Sequence, residues 1–412
     1  MKILQINTCH YRRGGADVVY LNTTELLRER GHEVINFSQI DSSDSYGTNN
    51  TYSVNKIDYF GLSPLKKLLK SPRFFYSLEA KHKIEQLIRT ERPDVAHIHL
   101  YRGILTPSIL PVLKQNNIPI VFSLHDYELL CPHNTFIDGK GNICEKCLVQ
   151  DSWLHCVSNK CNRNNLILST ISAVEFAFHK KLIPFHLYFD KLIAVSKFGM
   201  EIHSRKSELK EKLVHLYNFY PKLETTVPNH KKGDYFLFYG RLSYEKGILT
   251  LLKAWKNINS ENQLKIVGVG NTMKSILTYI SQNNLTNIEI LGFKSGNELK
   301  EIVSKASFII VPSEWYENNP LTIIEAYSNG RPVIATRIGG IPEIVNDNST
   351  GFLFEMGNID QLSQKIIKAC QLTDDDYFTM SKNAREFADK NFSEEEHYIN
   401  LMNIYRNLLS KQ

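Results

Sequence analysis

Long hydrophobic runs are scarce in this sequence. The longest, residues 166–178, has 13 residues, contains Glu175 and is followed by His179 and two lysines. A membrane-spanning helix needs about 20 apolar residues, and the first residues contain no apolar run of signal-peptide length. We therefore expect a protein of the cytoplasm that associates, if at all, with the inner face of the plasma membrane.

Positive and negative charges are nearly balanced in the sequence. Lysine and arginine total 49 against 43 acidic residues, a net charge of +6, which is too small for a dedicated nucleic-acid-binding protein. Low-complexity segments are absent and 42% of the residues are hydrophobic, which excludes collagens, coiled coils and disordered chains. At about 150 residues per domain, the 412 residues indicate two or three globular domains.

Short apolar runs alternate with amphipathic stretches, a pattern typical of parallel sheets covered by helices on both faces. The pattern restarts after a polar stretch at residues 221–233. We predict an α/β protein with two Rossmann-like, doubly wound domains at 1–220 and 234–392, and a helix at 393–412 that packs back on the N-terminal domain. The predicted strands are residues 2–8, 33–37, 94–97, 118–124, 191–195, 213–217, 235–239, 263–267, 287–291, 308–311, 332–335 and 351–354.

A cysteine-rich insertion at residues 127–163 interrupts the alternation. It contains five of the seven cysteines, of which two have the Cys-x-x-Cys spacing of metal ligands. Cytoplasmic thiols stay reduced, so we predict a structural zinc held by any four of the five; the alternative is a set of reduced thiols without metal. The five are Cys131, Cys144, Cys147, Cys156 and Cys161.

Paired glycines follow the first predicted strand, in the sequence Gly14-Gly15-Ala16. Glycines let the backbone approach a ligand, and the amides that begin the next helix attract an anion. A simple turn is the alternative. The spacing lacks the third glycine of a dinucleotide-binding fingerprint, which argues against a nicotinamide-dependent enzyme.

Two cations lie in a glycine-bounded loop after the first strand of the second domain, Arg241 and Lys246. At the carboxyl end of a strand in an open α/β sheet, such cations can neutralise a diphosphate. The alternative is that both are solvated loop residues.

Two glutamates, Glu317 and Glu325, flank a predicted helix start at Pro320, which suits a first helical turn. A carboxylate among apolar helix residues needs hydrogen-bond donors, and ribose hydroxyls are suitable. The alternative is an acid that favours the helix dipole and an unrelated surface glutamate.

These motifs together resemble the retaining glycosyltransferases of family 4, which have the GT-B fold. The resemblance extends over nearly the whole chain, and His125-Asp126 and Ser196 also fit it. It implies an acceptor-binding N-terminal domain, a nucleotide-sugar-binding C-terminal domain and catalysis in a deep cleft between them. The motifs that carry it are Gly240-Arg241, Lys246-Gly247, Glu317 with Glu325, residues 331–336 and residues 339–343.

The resemblance also implies roles for individual residues. Arg241 and Lys246 would hold the diphosphate, Glu325 would accept from the ribose hydroxyls, and Glu317 would contact the transferred sugar. His125 would face that sugar. The remaining donor contacts would come from the backbone near Gly14, Gly15, Ala16, Asn319, Pro320 and Leu321.

Catalysis of this kind is expected to be independent of metal, because fixed cations stabilise the charge that develops on the leaving group. Metal-dependent glycosyl transfer by another fold uses an Asp-x-Asp motif. The one match here, residues 374–376, is interpreted as the acidic start of a helix.

The resemblance implies a hexosyltransferase (EC class 2.4) that uses a nucleoside-diphosphate sugar and a glycan acceptor, lipid-linked or free, in capsule, exopolysaccharide or O-antigen synthesis. The alternatives are an inactive nucleotide- or glycan-binding relative, a partner subunit, or a nucleotide-sugar epimerase of a related fold. Two stretches suit an anionic membrane surface, the basic, aromatic residues 56–92 and the apolar residues 166–188. Solvated helix faces are the alternative there.

Overall fold

The computed structural model describes residues 1–40, 52–55, 72–221, 230–258 and 262–410. Its contacts divide the chain into two compact units. The first unit contains Met1–Val195, Gly199–Leu216 and Glu395–Gln412, and the second contains Ser196–Phe198 and Tyr217–Glu394. Most of the predicted linker, at 222–229, and the first part of the basic stretch, at 56–71, lie outside the described residues.

The first unit is built on a parallel sheet of six strands in the order β2-β1-β5-β6-β7-β8. Its central strands are almost continuously apolar and buried, as expected for a sheet covered on both faces. A separate parallel pair is formed by β3 and β4. The strands are β1 (Lys2–Ile6), β2 (Glu33–Phe37), β3 (Gln39–Ile40), β4 (Val54–Asn55), β5 (Val95–Ile98), β6 (Ile120–Leu124), β7 (Lys191–Ala194) and β8 (Leu213–His215).

Helices of the first unit connect these strands, and a last helix returns to the unit from the end of the described chain. Leu401, Met402 and Tyr405 of that last helix pack with Ile3 and Val95 in one buried cluster. The helices are Gly15–Glu29, Pro72–Phe75, Leu78–Glu91, Ile109–Gln115, Lys146–Val149, Leu154–Ser158, Leu166–Leu182, Phe185–Tyr188, Lys197–Ser204 (which begins in the second unit), Ser207–Lys210 and Glu394–Leu409.

The second unit repeats the architecture with a parallel sheet in the order β11-β10-β9-β12-β13-β14. Its core is centred on Trp255 and the aromatic residues of β9 and β12. The strands are β9 (Tyr235–Tyr239), β10 (Gln263–Val267), β11 (Ile288–Gly292), β12 (Ala306–Val311), β13 (Val333–Thr336) and β14 (Gly351–Phe354). The helices are a 3-10 turn at Tyr244–Lys246, then Ile248–Lys256, Met273–Gln282, Gly296–Lys305, Leu321–Ser328, Ile341–Ile344, Ile359–Cys370 and Asp374–Asn391.

The predicted fold class is confirmed, with two doubly wound parallel sheets followed by C-terminal helices. Each of the twelve predicted strands is present, and its ends shift by at most two residues. Predicted strand 2–8 ends at Ile6 because the next side chain, Asn7, turns to bond the backbone oxygen of Cys9 at 2.7 Å. Among the described residues, no helix is both long enough and apolar enough to cross a bilayer.

Candidate donor and acceptor sites

The strand order of the second unit reverses between β9 and β12. These strands are neighbours, but β10 and β11 continue on one side of them and β13 and β14 on the other. Ligands of open α/β sheets bind where the loops that leave two such strands diverge. The loop after β9 carries Arg241 and Lys246, and the loop after β12 carries Glu317, so the topology brings the predicted cations and carboxylate to one edge.

Lys246 and Glu317 form a partly buried ion pair at this edge, with 2.6 Å between Nζ and Oε1 and with Glu317 as the buried partner. The Ser313 hydroxyl donates to the same oxygen at 2.7 Å, and Lys246 Nζ lies 5.0 Å from the centre of the Trp315 ring. Burial alone would raise the pKa of Glu317, but attraction and hydrogen bonding from Lys246, with help from Ser313, hold it below its usual value. Glu317 is therefore an anion at neutral pH.

Two glycines fix the backbone beside this carboxylate. The Gly340 amide donates to the carbonyl of Glu317 at 2.7 Å. A Cβ on Gly339 would lie 2.2 Å from the Glu317 carbonyl oxygen, and one on Gly340 would lie 1.9 Å from that of Asn318. Larger residues at either position would displace the loop that presents Glu317.

Glu325 is half-buried in the helix Leu321–Ser328, where its Oε2 accepts from the Tyr239 hydroxyl at 2.9 Å. Burial and the neighbouring carboxylate raise the pKa of Tyr239 well above its usual value, so the hydroxyl remains a donor. The prediction that Pro320 opens the first helical turn is wrong by one residue. Pro320 is the N-cap, with a ψ of 117°, and its carbonyl accepts from Ile323 at 3.0 Å.

The Arg241 side chain pairs with a different carboxylate from the one that Lys246 contacts. Its NH2 group is 2.7 Å from Glu245 Oε1, and its side chain is 65% exposed. The Ser243 hydroxyl donates to the same carboxylate at 2.6 Å. The structure thus couples Lys246 to Glu317 and Glu325 to Tyr239, and it leaves Arg241 in a surface ion pair.

Asn319 is held from the segment that precedes β9. Its side-chain oxygen accepts from the backbone amide of Asn218 at 2.9 Å, and the Ser196 hydroxyl donates to Asn318 at 3.1 Å. The Asn319 Nδ2 group is buried and has no hydrogen-bond partner within the described part of the chain. No sequence pattern pointed to Ser313 or Tyr239, because their contacts with Glu317 and Glu325 depend on the pairing of β9 with β12.

In the first unit the strand order reverses between β1 and β5. The predicted glycine loop follows β1, and Gly14 is the extended N-cap of the helix Gly15–Glu29. The buried Asp17 carboxylate accepts from the Gly14 amide at 3.0 Å and from Asn7 Nδ2 at 2.8 Å. Asp17, three residues after the N-cap, was missed although it has the spacing of a capping box. It fixes the loop while Gly14 and Gly15 stay exposed.

His125 follows β6 and stacks on His99, which follows β5, with 5.2 Å between ring centres and 15° between planes. His125 Nε2 is 3.0 Å from His99 Nδ1, and His99 Nε2 is 3.1 Å from Gln5 Oε1. With the Gln5 amide in this orientation, His99 carries its proton on Nε2 and accepts from His125 on Nδ1. In this arrangement His125 donates from Nε2, a contact that sequence reasoning missed because it depends on three neighbouring strands.

We expect His125 to remain neutral and protonated on Nε2 between pH 7.5 and 5.5. Burial lowers the pKa of His125 to about 4 and that of His99 well below its usual value. Imidazole ¹⁵N NMR of histidine-labelled protein, assigned with His125→Gln, should show a protonated Nε2. His99→Leu should abolish the tautomer preference. A His125 that titrates near 6.5, or that carries its proton on Nδ1, would contradict the assignment.

The insertion contains two short helices where the sequence indicated irregular structure. Cys156 and Cys161 are buried with Ala173, and Cys147 packs against them. Cys144 accepts from Asn159 Nδ2 at 3.4 Å, and Cys131 is buried. In the described residues no group of three or more His, Cys, Asp or Glu side chains could hold a metal ion. Zinc therefore stays a prediction that requires these thiols to rearrange.

Residues 374–376 form the first turn of the helix Asp374–Asn391. The Thr373 hydroxyl caps that helix by accepting from the Asp376 amide at 3.1 Å. The interpretation of this acidic run as a helix start is confirmed.

The two sheets, with a candidate site at each reversal of strand order, define a protein of the GT-B fold. The structure superimposes on the Anabaena protein HepE in complex with UDP-glucose with a TM-score of 0.69 and 17% identity, covering 100% of both chains. The family described as Glycosyltransferase Family 4 matches residues 13–221, and that described as Glycosyl transferases group 1 matches residues 222–387. The chain belongs to glycosyltransferase family 4.

Two curated relatives are informative. An uncharacterised glycosyltransferase of Methanocaldococcus jannaschii is 35% identical over 220 residues, so the match spans 53% of this chain and 60% of that protein. The UDP-Gal:alpha-D-GlcNAc-diphosphoundecaprenol alpha-1,3-galactosyltransferase of Escherichia coli is 29% identical over 248 residues, 57% of each chain. Both similarities are partial in length.

Proposed function

We propose that this protein is a retaining hexosyltransferase. It would transfer a hexose from a nucleoside-diphosphate sugar to a glycan acceptor, and its product would be a capsule, exopolysaccharide or O-antigen precursor. Family membership supports transferase chemistry. The E. coli relative, whose name specifies a diphosphoundecaprenol-linked acceptor, supports a lipid-linked one.

The observation that carries this proposal is the Lys246–Glu317 pair at the β9–β12 reversal. When the sugar–diphosphate bond breaks, negative charge develops on the leaving group, and a fixed cation such as Lys246 stabilises it. Arg241, exposed on the same loop, would exchange its ion pair with Glu245 for the diphosphate. Glu317 would then accept hydrogen bonds from sugar hydroxyls and stabilise the positive charge that develops on the sugar ring.

Further groups of both units have the chemistry to bind other parts of the nucleotide sugar. The buried Asn319 Nδ2 is a donor for a phosphate or sugar oxygen, and Glu325 is an acceptor for ribose hydroxyls. In the first unit, the Gly14 amide already donates to Asp17, but the exposed Gly15 begins the helix and its amide would approach a phosphate. A neutral His125 can hydrogen-bond a sugar without adding charge to the site.

A thermal-shift screen of the full chain against UDP, GDP, ADP, dTDP and their common sugar conjugates tests the donor assignment. A ligand at 100 times its Kd stabilises the folded state by about 2.7 kcal/mol, which raises the melting temperature by a few degrees. Stabilisation by one nucleotide family is expected. NMR of the product made from that donor then reports retention or inversion at the anomeric carbon. No response from folded protein would contradict donor binding, and an inverted product would contradict retention.

We also propose that the insertion binds one structural zinc. Protein prepared without chelator and with reduced thiols should contain about one zinc per chain by elemental analysis. Cys147→Ser should lower this content because it removes one thiol of the Cys-x-x-Cys pair. Cys370→Ser, outside the insertion, is the matched control and should leave it unchanged. Zinc-free wild-type protein that is fully folded would rule the site out.

A further inference from the structure

The helix Leu166–Leu182 buries several polar residues and exposes several apolar ones, which packing within the first unit does not explain. Its inner face, which includes Ser169, Ser172, Ala173 and His179, is buried. Its outer face carries Ile167, Ile171, Val174 and Leu182, which are 71%, 40%, 43% and 58% exposed. The intervals of four, three and eight residues place these four side chains on one side of the helix. We call them the apolar stripe.

An exposed apolar stripe of this length lowers solubility. Such a patch marks a surface that binds a membrane or another protein. The helix has 17 residues, so at 1.5 Å per residue it is about 25 Å long. It is too short and too polar on its inner face to span a bilayer. A helix of this kind can lie in the plane of a membrane with its apolar side toward the lipid.

The charges around the stripe suit an anionic surface. Lys181 is exposed in the last turn on the same side as the stripe, and Arg163 is exposed just before the first turn, whereas Lys180 turns away and pairs with Asp151 at 2.8 Å. The one acidic residue of the helix, Glu175, is turned inward and its side chain is 2% exposed. Arg102 Nη2 lies 3.0 Å from the Glu175 carboxylate. The outer face therefore presents apolar side chains between two basic ends and no carboxylate from the helix itself.

We propose that the apolar stripe docks this protein on a membrane that contains anionic lipids. The four side chains would enter the boundary between headgroups and acyl chains, and Arg163 and Lys181 would bind the headgroups. This surface belongs to the first unit alone and goes beyond the proposed transferase activity. If the acceptor is lipid-linked, docking here holds the enzyme at the layer that contains it.

Vesicle co-sedimentation of the full chain tests the proposal without any substrate. Binding is expected to phosphatidylcholine vesicles that contain 30% phosphatidylglycerol, and weaker binding to phosphatidylcholine alone. Ile167→Ser/Ile171→Ser/Val174→Ser should reduce the partition coefficient at least tenfold. Arg163→Gln/Lys181→Gln should remove the preference for anionic vesicles.

The matched control replaces three exposed apolar residues on other helices, Leu277, Ile367 and Ile399, by serine. It should bind vesicles like the wild type. Melting temperature and the nucleotide-induced shift show that each variant is folded, so loss of donor binding and loss of docking are read separately. Vesicle binding unchanged by the stripe substitutions would overturn the proposal. So would concentration-dependent self-association that those substitutions abolish in a protein that does not bind vesicles, since the stripe would then contact a second copy.

Discussion

Replacing Glu317 by glutamine is expected to lower kcat by about two to three orders of magnitude, the range found when one preorganised electrostatic group is removed from an active site. Glutamine keeps the size of the side chain and can still accept from Ser313. It cannot supply the negative charge that lies 2.6 Å from Lys246. Nucleoside diphosphate released per enzyme under saturating donor and acceptor measures the effect.

Glu314→Gln is the matched control for this variant. Glu314 lies three residues earlier on the same loop, but its carboxylate accepts from the Thr250 hydroxyl. We expect kcat to change by no more than about threefold, since glutamine can still accept from Thr250 and this hydrogen bond does not involve Lys246 or Glu317. Wild-type turnover by Glu317→Gln, or an equal loss in both variants, would show that Glu317 has no specific catalytic role.

Glu325→Ala is expected to weaken nucleotide binding by about 100-fold or more, because two ribose hydroxyls would lose a charged acceptor, at about 1.5–3 kcal/mol for each bond. The fold should survive. The Tyr239 hydroxyl that loses Glu325 still has the carbonyl of Thr322 at 3.0 Å, so no buried donor is left without a partner. Isothermal titration with the nucleotide that stabilises the wild type measures the change in Kd.

Weaker binding by Glu325→Ala could result from loss of the ribose acceptor or from loss of the Tyr239–Glu325 hydrogen bond. Tyr239→Phe distinguishes these two causes. It removes the 2.9 Å hydrogen bond to Glu325 but keeps the carboxylate, so binding should fall much less than in Glu325→Ala. Turnover of Glu325→Ala equal to the wild type at subsaturating donor would refute the ribose assignment.

Strand positions were predictable from the sequence because each buried parallel strand is a short apolar run between polar turns, as in β9 and β14. The positions of Arg241, Lys246 and Glu317 were predictable because they lie in loops that follow those strands, and that of Glu325 because it lies in the helix after Pro320. The hydrogen-bond partners of the site residues were not predictable. Gln5, His99 and His125 meet across β1, β5 and β6, and this depends on pairing and register, which local sequence patterns do not encode.

Pro320 illustrates a second limit. Its fixed φ suits both the residue before a helix and the first helical residue, so composition could not distinguish the two. The ψ angle does, and it places the helix start at Leu321. The insertion illustrates a third limit, since the packing of Cys147, Cys156 and Cys161 depends on short helices that have no periodic signal of their own.

The order in which the chain is synthesised has a consequence for the first unit. Its sheet is complete once β8 has been made, but the cluster around Ile3 and Val95 also needs Leu401 and Tyr405. The Tyr405 hydroxyl lies 2.6 Å from His97 Nδ1. The ribosome makes all of the second unit before this helix, so the nascent first unit exposes an unfilled apolar groove throughout that interval. Chaperone occupancy on stalled nascent chains should therefore persist after β8 emerges and end only when the helix Glu394–Leu409 is released.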